Sequence, residues 1–254
     1  MSWFGKIIGG TIGFALGGPL GAIAGAAFGH TFDAGNELET RYQNNLLSNG
    51  ETAQLTFFVA TFSMLAKLAK ADGQITQEEL KSINDFMEND LSLNYRSQNV
   101  AMNIFQTALD SPGTFFDFAA QFYTEFRLQP RLLEVMIDIL LRVSVADGEM
   151  NKKEEELILA AVKIFNFSES RYKQLKAKYI KEVDRYYAIL NSSRADTDHM
   201  IKQQYRKLVQ EYHPDKILAK GLPEEFTKFA NDKFIEIQEA YEMVKIERKE
   251  QGRN

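Results

Sequence analysis

From Ile7 to Phe28 the chain runs 22 residues without a charge. At about 1.5 Å per helical residue, that run is long enough to cross a hydrocarbon core of roughly 30 Å. Seven of the 22 are glycine and Pro19 lies among them, so mean hydropathy alone is a weak argument for a span. The spacing is stronger. Gly9, Gly13, Gly17, Gly21, Gly25 and Gly29 recur every fourth residue, which lines one helix face with bare backbone and favours close packing against a second helix in lipid. Trp3 and Phe4 precede the run as interfacial anchors. A single-pass N-terminal anchor that self-associates through its glycine face, forming a homodimer, is therefore expected. A cleaved signal peptide and an apolar segment buried in a soluble assembly are the alternatives; a lone Lys6 ahead of the run makes a poor basic n-region.

Cysteine is absent, which removes disulfides, thiolate metal sites and cysteine nucleophiles. There are three histidines, His30, His199 and His213, and none of the HExxH, GxxxxGK[ST] or GxGxxG patterns. Enzymatic chemistry is thus disfavoured, and no cofactor or metal is expected. The net charge of −5 is spread with no basic excess in any segment: residues 186–254 balance 12 cations against 12 acids. Phosphate-backbone binding needs such an excess, so nucleic acid is not expected as a partner.

Apolar residues after the anchor recur at helical spacing, as in Leu55, Phe58, Val59, Phe62, Leu65, Ala66 and Ala69, and again from Leu132, Leu133, Met136 and Ile137 to Leu140. No strand alternation interrupts them, so an all-α fold is predicted. An internal repeat appears at an offset of 75 residues. Ala71-Asp72-Gly73 aligns with Ala146-Asp147-Gly148, Thr76 and Glu79 align with Asn151 and Glu154, and Ile83 meets Ile158. Each copy reads as a turn followed by a capping box. An EF-hand reading of Asp72, Glu79, Asp147 and Glu154 fails because Leu68, Lys70, Val143 and Val145 occupy positions where oxygen ligands are required. The duplicated pattern resembles the TerB-like (tellurite-resistance) helical domain, over roughly residues 50–170.

The motif with the most chemistry lies further on. Ile201, Tyr205, Leu208, Val209 and Tyr212 form the apolar stripe of a helix that must end before Pro214, and Lys202, Arg206 and Lys207 point away from it. Phe226, Ala230, Phe234, Ile237, Tyr241 and Val244 predict a second helix packed antiparallel to the first. Between them stands His213-Pro214-Asp215-Lys216. With Tyr186-Tyr187-Ala188-Ile189-Leu190 upstream and Phe234 to Tyr241 downstream, this stretch of about 70 residues resembles a J domain of the DnaJ family. Taken with the anchor and the TerB-like region, the chain resembles the membrane-anchored DnaJ-like protein A (DjlA) family, with an anchor at 1–30, a TerB-like domain at 31–180 and a J domain at 181–254.

The resemblance implies a co-chaperone that docks on a DnaK-type chaperone and stimulates its ATP hydrolysis. It makes Lys202, Arg206, Lys207 and Lys216 the docking face and His213, Pro214 and Asp215 the trigger, with no catalytic residue. It also implies a bacterial inner-membrane protein with residues 30–254 in the cytoplasm, since Lys6 and Arg41 on either side of the span leave charge undecided about orientation. A membrane scaffold whose J-like unit only binds partners is the competing function. Two departures from the family stand out: Asn191-Ser192 replaces the usual glycine turn, and Gln210-Glu211 replaces basic or apolar residues, which predicts a retuned docking surface. No flexible linker precedes the J-like unit, which predicts rigid coupling to the domain before it.

Overall fold

The helical periodicity is realised throughout, and every regular element among the described residues is a helix. The structure is a computed structural model that describes residues 16–33, 48–73, 75–146, 150–179 and 185–251. In chain order the helices are α1 (Gly18–Asp33), α2 (Asn49–Ala69), α3 (Gln77–Asp85), α4 (Tyr95–Asp110), α5 (Phe115–Phe126), α6 (Pro130–Ser144), α7 (Lys152–Ile164) and α8 (Glu169–Ala177), then α9 (Arg185–Ile189), α10 (Asp198–Glu211), α11 (Pro214–Leu218) and α12 (Thr227–Gln251).

α2 is the axis of the first bundle. Its residues from Leu55 to Ala66 are all buried, and a helix that is apolar on every side needs neighbours on every side. α1, α4, α5 and α6 supply them. By length and hydropathy α2 would also pass for a membrane span, but it lies inside the bundle. Phenylalanine fills the contact with α5: the Phe57 ring lies 5.5 Å from Phe122 and 5.9 Å from Phe126, both edge-on, an arrangement favoured by the ring quadrupoles.

The capping boxes of both copies of the repeat form as their sequences predict. The Thr76 hydroxyl accepts from the Glu79 amide at 3.1 Å, and the Glu79 carboxylate accepts from the Thr76 amide at 2.7 Å. Asn151 and Glu154 do the same for α7, with both bonds at 2.9 Å. Gly73 takes φ +110° in the first turn, a conformation open to a residue without Cβ. Asp147 and Gly148 of the second turn lie outside the described residues. The two capping glutamates line one cavity of about 10 Å³ together with Ser82 and Ser144, which is room for about one water molecule.

The apolar N-terminal segment is described from Leu16. α1 lies on α2, α4 and α5 through Leu20, Ile23, Ala24, Ala27 and Phe28, while Gly17, Ala22, Gly25 and Ala26 are exposed. Gln121 of α5 meets its first turn, accepting from the Leu20 amide at 2.9 Å and donating to the Gly17 carbonyl at 2.6 Å. Gly9 and Gly13 fall outside the described residues.

The C-terminal helices do not form a separate body. Phe226 was expected on the stripe of the second hairpin helix. It instead sits in a short 3-10 turn before α12 and inserts into the first bundle, 5.2 Å from the Phe57 ring and 6.2 Å from Phe58. Gly221 precedes it at φ +106°, where a Cβ would come within 3.1 Å of the Ala53 Cβ, so the chain can approach α2 this closely only without a side chain. Asp138 of α6, 2% exposed, receives Lys233 of α12 at 2.6 Å and Lys178 at 3.9 Å. Removing the carboxylate would take the ion-pair partner from the buried Lys178 and leave the buried Lys233 with Glu236 alone. Asp138→Ala should therefore lower unfolding free energy by about 3–5 kcal/mol, against only about 1 kcal/mol for the lost cap in Thr76→Ala; urea denaturation of both variants measures the contrast.

Candidate functional site

His213 lies where α10 gives way to α11. α10 is capped by Thr197, whose hydroxyl accepts from the Met200 amide, and it runs antiparallel to α12, with Ile201 and Leu208 buried between them. The Tyr205 and Tyr241 rings stack at 4.0 Å. Arg248 of α12 ties down the other end: it donates to the carbonyls of Arg194 and Asp196 at 2.9 and 2.7 Å and pairs with Asp198. Asn191 adopts φ +54°, the left-handed conformation for which glycine is the usual choice and asparagine a tolerated one. This explains the departure from the family's glycine without any change in the turn.

Pro214 begins α11, where its missing N–H costs nothing because that donor would have no helical acceptor. The His213 carbonyl accepts from the amides of Lys216 at 2.9 Å and Ile217 at 3.2 Å, and Ile217 is buried beneath the turn. The backbone is thus fixed while the side chains face outward. The His213 side chain is 49% exposed and that of Asp215 is 88% exposed, with 3.8 Å between Nδ1 and the nearer carboxylate oxygen. The His213 ring lies edge-on to Phe234 at 5.7 Å.

Lys202, Arg206, Lys207 and Lys216 are all exposed, and none has an ion-pair partner among the described residues. Their neighbours differ: Arg194, Lys228, Lys245 and Arg248 are each paired with an acid. Four open cations beside an open carboxylate and imidazole make a surface that an acidic partner can engage with little competition from within the chain.

Glu211 is where the structure corrects the sequence reading. It was expected to alter the docking surface; its carboxylate is instead engaged within the chain, paired with Arg131 of α6. Arg131 also pairs with Glu134, and Glu134 with Arg171 of α8. The Arg131 guanidinium lies 5.4 Å over the ring of Tyr212, the residue immediately before His213. Burial opposes the charge on Glu134, but Arg171 and Arg131 outweigh it and hold the carboxyl below its ordinary range. Asp138, one turn along, is opposed by burial and held low by Lys233 and then Lys178. Lys178 is pushed down to about 8, by burial first and then by Lys233.

Arg131, Glu134, Asp138, Arg171, Lys178 and Lys233 were not among the sequence candidates. A signal was there: from Leu132 to Leu141 the only polar residues are Glu134 and Asp138, one helical turn apart, and carboxylates on an otherwise apolar helix require cations brought from elsewhere.

The comparisons follow the same order along the chain. Residues 1–42 match the family model for the co-chaperone DjlA transmembrane domain, 58–177 that for the tellurite resistance protein TerB and 185–252 that for the DnaJ domain. A co-chaperone protein DjlA of Shewanella oneidensis is 30% identical, covering 98% of this chain and 99% of its own. The chain belongs to the co-chaperone DjlA family. DjlA proteins of Coxiella burnetii and Escherichia coli are 29% and 25% identical, each over 96% of this chain and 98% of theirs. No solved structure matches. A membrane anchor, a TerB domain and a J domain thus succeed one another along the chain.

Glu134 and Asp138 both sit below their unfolded values of about 4.5 and 3.8. Carboxyls lowered by folding stabilise fully above those values, and the contribution is lost as pH falls through the folded pKa. Acidification below about pH 4.5 should release the J domain from α6. Near-ultraviolet circular dichroism of the half-buried Tyr179 and the buried Tyr212 should fall before far-ultraviolet helicity does; coincident loss would count against the release.

Proposed function

We propose that the chain is a membrane-anchored regulator that docks on a DnaK-type chaperone through Lys202, Arg206, Lys207 and Lys216 and stimulates its ATP hydrolysis through His213, Pro214 and Asp215. The observation that supports this most directly is that His213, Asp215 and the four cations are exposed, and that none of the four cations has an ion-pair partner among the described residues, whereas Arg194 and Arg248 of the same domain are paired with acids. The cations provide electrostatic steering and register. Pro214 holds the turn, and the Asp215 carboxylate can take an arginine of the chaperone in bidentate fashion. The chain supplies no chemistry of its own in this reading; the hydrolysis is the partner's.

The family match at residues 1–42 supports an anchor. We place it at residues 1–30, crossing a bacterial inner membrane once, with the TerB domain (31–180) and J domain (181–254) in the cytoplasm where a DnaK-type chaperone works. Insertion requires residues 18–28 to leave the bundle. For the side chains of the segment itself lipid tails are as apolar as the protein contacts they replace, while the faces of α2, α4 and α5 that the segment covered are bared at a cost proportional to their apolar area. Gly17 and Gly25 are exposed, and a Cβ added at either would meet nothing within 4 Å, which keeps that side open to a second copy and supports a homodimer through the anchor.

His213→Gln and Asp215→Asn should each abolish stimulation of the chaperone's steady-state ATPase without changing helicity or melting. A scaffold that only binds partners would show no stimulation in the wild type. Charge reversal at Lys202, Arg206 or Lys207 should raise the half-saturating concentration by about two- to fivefold each, the worth of one solvated ion pair, and flatten its salt dependence. Gly25→Leu should reduce chemical crosslinking of the anchor into dimers while the protein stays in the membrane fraction.

A further inference from the structure

The trigger turn is attached to two bodies. On one side α10 and α12 hold it in the ordinary way of a helical hairpin. On the other side the TerB domain reaches it directly. Arg131, at the start of α6, bridges Glu134 of its own helix and Glu211 of α10. Its guanidinium covers the Tyr212 ring, and the buried Tyr212 hydroxyl faces the Glu134 carboxylate, whose charge together with burial pushes the phenol well above its ordinary range. Arg171 of α8 closes the set from behind Glu134. Glu211 and Tyr212 are the last helical residue and the C-cap of α10, where unsatisfied carbonyls leave partial negative charge that a guanidinium stabilises.

We infer that Arg131 and Glu134 are positioning residues for His213-Pro214-Asp215, so that the TerB domain sets the efficacy of the J domain. This rests on the function proposed above. His213 follows Tyr212 directly, so its backbone direction is set by how Tyr212 is held. Tyr212 is buried, and the atoms that hold its polar end belong to the TerB domain. Arg131 engages Glu134, Glu211 and the Tyr212 ring, and none of the four docking cations is its ion-pair partner among the described residues. Loss of the clamp therefore leaves docking strength alone and lets the turn fray: a bound chaperone is still found, but triggered less often.

The geometry also separates this role from bulk stability. Arg131→Gln leaves Glu134 paired with Arg171, so no buried charge is stranded, and the Phe226 and Asp138 contacts that join the domains stay in place. Arg131→Lys keeps the charge but lacks the planar fork needed to serve Glu134 and Glu211 together.

The test titrates a DnaK-type chaperone with the full chain in detergent micelles, comparing wild type, Arg131→Gln, Arg131→Lys and Glu211→Gln, alongside amide hydrogen exchange of each. Maximal stimulation by Arg131→Gln should fall at least about tenfold, the least expected for a lost charge-assisted hydrogen bond, at an unchanged half-saturating concentration. Arg131→Lys and Glu211→Gln should lie between it and the wild type. Exchange should quicken at residues 212–217 and stay slow at 201–208. Wild-type stimulation by Arg131→Gln overturns the inference, as does exchange that quickens equally throughout the chain. If the wild type gives no stimulation, the proposed function fails. The exchange pattern then still decides whether Arg131 holds the turn.

Discussion

Two carboxylates one turn apart on α6, Glu134 and Asp138, hold the halves of this molecule in one geometry. Each is almost wholly buried and each is paired with two cations from separate parts of the chain: Arg131 and Arg171 for the first, Lys178 and Lys233 for the second. Burial makes an unpaired charge so unfavourable that few arrangements of α8, α10 and α12 around α6 are tolerable. Attraction between the domains comes from elsewhere, chiefly from Phe226 among the rings of Phe57 and Phe58. The apolar contact brings the domains together, and the ion pairs select the orientation.

That division explains which side of the J domain is open. Glu211, Tyr212, Phe226 and Lys233 are taken up by the TerB domain, while His213, Asp215 and the four unpaired cations face outward. An autonomous J domain joined by a flexible linker could present any face. Here Gly221, pressed against Ala53, and the clasped end of α10 leave a single face to a partner. The TerB domain is in this sense part of the J domain's scaffold. The duplicated capping boxes at Thr76 and Asn151 stabilise that scaffold at matching points of its two halves.

α1 and α2 show why hydropathy by itself ranks segments poorly. α2 is the longer apolar helix and is the core of a globular bundle. The N-terminal segment is richer in glycine, and matches the family's transmembrane domain. One side of α1 can lie on protein because Leu20, Ile23, Ala24, Ala27 and Phe28 share a face, and the other presents its glycines. The same residues suit lipid, since van der Waals contact with apolar side chains or with acyl chains is nearly equivalent.

Local chemistry was determined by sequence alone wherever it involves neighbours in the chain. The capping boxes, the end of α10 before Pro214, the outward Lys202, Arg206 and Lys207, and the paired amphipathic helices all follow from spacing within a few residues. The all-helical class and the order of anchor, TerB domain and J domain were readable for the same reason. Tertiary structure decided what depends on residues far apart: that Phe226 belongs to the first bundle, that Glu211 pairs with Arg131, and that two acids on an apolar helix are buried. A charge on a helix reads as solvated until the cation that neutralises it is located. The cations here lie up to 95 residues away, as Lys233 does from Asp138, beyond the reach of any local pattern.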